Sequence, residues 1–63
     1  MYYITIKKEG QKRGHKQFFF DEITARVQFN VLSTIGNQGE ELALYKENTK
    51  DYFKPILIEK IKF

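Results

Sequence analysis

Cysteine is absent from this chain, and histidine and proline occur once each. Without cysteine there is neither a disulfide nor a thiolate–zinc staple. With His15 as the sole imidazole, the usual structural zinc sites are excluded. His15 also lies beside Lys16, with no Cys or Ser near it to form a nucleophile–base pair, and reads as a solvated residue. No apolar run approaches the ~20 residues that cross a bilayer, so no membrane role is expected. The opening Met1-Tyr2-Tyr3-Ile4-Thr5-Ile6-Lys7 lacks a charged start followed by an apolar core. No secretory signal is therefore expected, and a soluble cytoplasmic protein is.

Glycine occurs four times. Gly10 and Gly14 do not have the spacing of a phosphate-binding fingerprint, and no strand–loop–helix follows them. Asp21-Glu22 and Glu40-Glu41 resemble no calcium-binding loop and read as solvated acids. A chain of 63 residues also has difficulty enclosing a ligand pocket of ~300 Å³ without losing its core. The expectation is a non-enzyme: no catalytic residue, no metal and no cofactor.

Size sets a second constraint. A single domain over residues 1–63 buries only ~60% of its unfolded surface, for a stability on the order of 5 kcal/mol. Small domains without cross-links often gain stability by associating. Aromatic residues, by contrast, are plentiful, four Tyr and six Phe, and mark a globular chain. The net charge of +3 is unevenly placed. Lys7, Lys8, Lys12, Arg13 and Lys16 against Glu9 leave residues 7–16 at +4 and the remainder at −1. The abundance of Lys over Arg, with much Ile, Asn, Tyr and Phe, suits an AT-rich genome, such as that of a low-GC bacterium or one of its phages.

In chain order, residues 2–8 alternate, with Tyr2, Ile4 and Ile6 facing one way and Tyr3, Thr5 and Lys7 the other, the pattern of a strand. A turn bracketed by Gly10 and Gly14 returns the chain as residues 15–20, forming an antiparallel hairpin. Phe18 and Phe20 share one face there and Phe19 takes the other, where Tyr3, Phe19 and Tyr45 are expected to make an aromatic patch. Asp21 is the expected N-cap of a helix running to about Ile35, with Glu22 adding favourable charge and Gly36 supplying a left-handed stop.

Apolar residues of that helix spread over roughly 200°, wider than the stripe one sheet needs. The flank of Ala25, Phe29 and Leu32 is the expected surplus, available to a partner or a second copy. Residues 40–47 alternate as a half-buried strand. After Pro55, residues 56–63 place Ile56 and Ile58 on one face and Leu57, Ile61 and Phe63 on the other, which suits an interior strand, with a short helix as the competing reading. The expected fold is α+β: a small β-β-α-β-β domain, its four antiparallel strands in one sheet with one helix packed across one face.

Two functions from different classes fit these residues. The first is a protein-binding module, an inhibitor or regulator that occupies a surface of a larger intracellular protein through Tyr3, Phe19, Tyr45 and Phe29. The second is nucleic-acid binding, with Lys7, Lys8, Lys12, Arg13 and Lys16 on the backbone and the open-face aromatics stacking on bases. It ranks lower, because the Lys/Arg-Gly-aromatic run of an RNA-recognition sheet is missing and seven acids crowd the remainder. A purely structural homodimer through the helix flank is the third reading.

Overall fold

The computed structural model describes residues 1–10, 12 and 14–63. Four strands, β1 (Tyr2–Lys7), β2 (His15–Phe19), β3 (Glu41–Lys46) and β4 (Ile56–Lys62), form one sheet in the order β2-β1-β3-β4, and every neighbouring pair is antiparallel. Among the described residues one helix, α1 (Glu22–Thr34), lies across one face of that sheet. The α+β architecture is as the sequence leads one to expect.

Alternation selects the covered face. Ile4, Leu42 and Leu44 of the two central strands are buried against Ala25 and Phe29 of the helix. Tyr2, Ile6, Phe19, Leu32, Ile58, Ile61 and Phe63 close the margin of that cluster. The helix begins where Asp21, in extended conformation, accepts the Thr24 amide at 3.0 Å. The Thr24 hydroxyl donates to the other Asp21 oxygen at 2.8 Å, so the residue standing in the capping-box position clamps the cap side chain.

Several expectations are corrected by this packing. Ala25 and Phe29 are not a surplus flank but the helix side of the core, with Leu32 packed against it. The residues left outside are Ile23, Val27, Val31 and Ile35. Phe19 lies opposite Tyr2 and faces the helix, while Phe18 lies opposite Tyr3 on the open face. Three consecutive phenylalanines make the alternation ambiguous, and the pairing with β1 decides it. Phe20, outside the strand, is exposed.

Gly36 does not take a left-handed conformation. A Cβ there would run into the Phe63 ring, so glycine serves a close approach. Phe63 is held in place by its backbone, which exchanges hydrogen bonds with Gly39 and Glu40 at 2.9 Å. Of the two hairpin glycines, Gly10 supplies the positive φ, at 85°.

β4 is a strand, not a helix, and it is an edge strand. Its register breaks between Leu44 and Tyr45: Leu44 faces Glu59 while Tyr45 faces Leu57, leaving Ile58 as the extra residue of a bulge. Ile58, Ile61 and Phe63 consequently all pack toward the helix, although strict alternation would separate Ile58 from the other two.

Two stability outcomes follow. Phe29→Ala removes the largest fully buried side chain, at a cost of ~3–5 kcal/mol. Set against a total on the order of 5 kcal/mol, it is expected to abolish cooperative thermal unfolding near 37 °C, as read by circular dichroism. The hydrogen bonds from Thr24 hold the Asp21 carboxyl below its ordinary range. A lowered carboxyl contributes stability above its unfolded value and loses it as pH falls through the lower folded one. Asp21→Ala is thus expected to melt earlier than the native chain at neutral pH, with a gap that closes in acid.

Candidate interaction surfaces

The open face of the sheet is built in transverse rows, because register aligns residues of the same parity across neighbouring strands. One row runs Phe18–Tyr3–Tyr45–Leu57 and crosses all four strands. Tyr3 and Tyr45 stack with ring centroids 5.1 Å apart and an interplanar angle of 20°. Phe18 leans on the other side of Tyr3 at 5.6 Å and 48°. The Lys16 ammonium sits 5.1 Å from the Tyr3 ring centre, a cation–π contact. Tyr3 is therefore only 8% exposed despite lying on the uncovered face, while Phe18 and Leu57 remain about half exposed.

The next row is Lys16–Thr5–Ala43–Lys60, and the one beyond it Lys7–Glu41–Lys62. Lys60 reaches Glu41 at 3.2 Å, an exposed pair of small energetic value. This face accordingly carries an apolar row at one end and four lysines beside it, with Glu41 as the acid in those rows. Tyr3, Tyr45 and Lys7 stand here as their alternation predicts; Phe18, Lys16, Leu57, Lys60 and Lys62 join them against that expectation. Phe18 and Lys16 are hidden by the phenylalanine run, which leaves the β2 register ambiguous, and the last three by the bulge and edge position of β4. Lys8 and Lys12 are exposed on the β1–β2 connection. Arg13 lies outside the described residues.

A second surface is the outward side of α1. Ile23, Val27 and Val31 recur at i, i+4 and i+8 on the side away from the core, and Ile35, the C-cap, stands exposed at the end of that row. Ile23 is 77% exposed. A third apolar feature is the β3–β4 connection, where Asp51 accepts the Phe53 amide at 3.0 Å and the Lys54 amide closes on Asp51 at 3.1 Å. That turn holds Tyr52 and Phe53 out in solvent, the latter 96% exposed.

Two shallow recesses open at the sheet end opposite the aromatic row. One, about 200 Å³, is lined by Ile6, Leu32, Ile35, Gly36 and Phe63 among others. The other, about 190 Å³, is lined by Lys7, Lys8, Glu9, Gly39, Glu41 and Lys62 among others. Both are smaller than the ~300 Å³ of ordinary small-molecule sites. Among the described residues no three His, Cys, Asp or Glu side chains gather as a metal site. No described helix is long and apolar enough to cross a membrane.

Burial pushes the Tyr3 phenol above its ordinary value near 10, and Tyr45 and Glu47 add to the shift. A raised group of this kind stabilises the fold in full below its unfolded value and loses that contribution as pH climbs through the folded one. Tyr3→Phe is expected to remove the latest tyrosinate step from an ultraviolet titration and to lessen alkaline destabilisation. Persistence of the late step in the variant assigns it to another tyrosine. Compared with known proteins, the chain matches no protein-family model, no curated protein and no solved structure.

Proposed function

We propose that this domain is a non-catalytic protein-binding module that acts by covering a surface of a larger protein, as an inhibitor or regulator does. The observation that carries the reading is the Phe18–Tyr3–Tyr45–Leu57 row with lysines beside it on one side. Aromatic residues are enriched at interface centres because they bury much area at little entropic cost, and a charged border suits the rim. Phe18 and Leu57, about half exposed, supply the contact area of that row, and Tyr3, 8% exposed, backs them. The four lysines favour a partner whose surface is apolar at its centre and acidic around it. An origin in a phage or mobile element belongs to this reading, on the composition alone.

Nucleic acid is the second reading, favoured by those same lysines on the face that bears the aromatics. Ring geometry weighs against it. A base stacks on a free aromatic face, but Tyr3 has Tyr45 stacked on it, with Phe18 tilted against it and the Lys16 ammonium over its ring.

The two readings separate in solution. Labelled single- and double-stranded probes are expected to show no saturable anisotropy change at low salt. Binding that weakens steeply as salt rises would assign the face to nucleic acid. Affinity capture from the source organism is expected to return one stoichiometric protein. Phe18→Ala and Tyr45→Ala should each weaken that complex about tenfold or more. A complex that both variants keep at full affinity removes the open face from the proposal.

A further inference from the structure

We infer that the outward side of α1 is occupied by a second copy of this chain, the two helices packing antiparallel about a two-fold axis. The contact is independent of whatever the open sheet face binds.

The row of Ile23, Val27, Val31 and Ile35 is self-complementary, as a two-fold interface must be. It is centred at the level of Phe29, so an antiparallel pairing sets Ile23 of one copy against Ile35 of the other, and Val27 against Val31. From Ile23 to Val31 the row follows the i±4 ridge of the helix for ~12 Å, with Ile35 at the C-cap extending it, and two such ridges interdigitate at a crossing angle near −50°. Its side chains are short and β-branched, which permits close approach with little rotamer entropy to lose.

Charge singles out the same occupant. Helix α1 carries just two ionisable residues, Glu22 and Arg26, of opposite sign and 3.7 Å apart. It therefore offers a charged partner no net attraction, and it offers a second copy no repulsion. The chain as a whole is +3, with four lysines on the open face. Back-to-back pairing through the helices points those basic faces away from each other. Each copy is 15 Å through its thinnest dimension, so the faces stand roughly 30 Å apart, several Debye lengths at physiological salt. Antiparallel helix dipoles add a small favourable contribution.

Area sets the strength. Burying one Val or Ile side chain removes roughly 100 Å² of apolar surface from water. Four per copy, with the residues around them, amount to about 1,000 Å² over both copies, the lower end for a specific interface. A dissociation constant in the micromolar range is expected.

Sedimentation equilibrium from about 1 to 200 µM is expected to show the mass rising from one chain to two across that range. Val27→Lys and Val31→Glu, at positions already about half exposed, should each be folded by circular dichroism and monomeric alone. Mixed together they should form a heterodimer, since the antiparallel register brings the two new charges into contact. A native chain that stays monomeric at the top concentration overturns the proposal, and so does a dimer that Val27→Lys leaves intact. A heterodimer from Val27→Lys with Val27→Glu, but not with Val31→Glu, overturns the antiparallel arrangement. Should either variant unfold, the mass of the native chain against concentration decides alone.

Discussion

Phe29 pressed onto Ile4 and Leu44 is the contact on which the remaining structure depends. These are the three largest side chains with less than 2% of their surface exposed. They join the middle of the helix to the two central strands, at the point where burial on both sides is complete. Ala25 lets the helix sit close at its first turns, and Leu42 extends the floor toward the other end. Everything else in the apolar cluster is only partly buried. Under the helix the domain thus has one narrow zone of full desolvation, surrounded by side chains that serve two environments at once.

One helix cannot cover two faces. The sheet has to manage its second face without a second layer, and it does so with its own side chains. Tyr3 is shielded by Phe18, Tyr45 and Lys16, and Ala43 is buried between its longer neighbours. Two chemically distinct surfaces result, on opposite sides of a thin molecule. One is basic and aromatic; the other is aliphatic and nearly uncharged. Such a division allows each side to be engaged without disturbing the other.

The order of elements was legible because local signals agreed with one another. Asp21 caps where its chemistry requires, β1 and β2 pair antiparallel across the glycine-bracketed segment, and Tyr2, Ile4 and Ile6 alternate against Tyr3 and Thr5. What could not be read was which side of an ambiguous segment meets the core. Phe18, Phe19 and Phe20 offer two registers of equal hydrophobicity, and a long-range pairing chooses between them. On the helix, Ala25 and Phe29 compete with the Ile23–Ile35 row for the sheet. The larger aromatic takes the interior, which periodicity alone does not specify. In β4 the bulge shifts the parity of half a strand, and no residue around it marks the place. Surplus apolar surface was foreseeable from composition and the width of the helix stripe, whereas its address was not.

The bulge at Ile58 also bears on how the sheet ends at its margins. An extra residue bends and twists a border strand and leaves part of its hydrogen-bonding row out of line. A neighbouring chain then finds no straight ladder to extend along β4. The opposite border, β2, is five residues long and carries Lys16, two further deterrents to strand addition. With both rims blunted in this way, growth into a continuous intermolecular sheet is disfavoured, and whatever this protein meets is more readily received on its broad sides than along its edges.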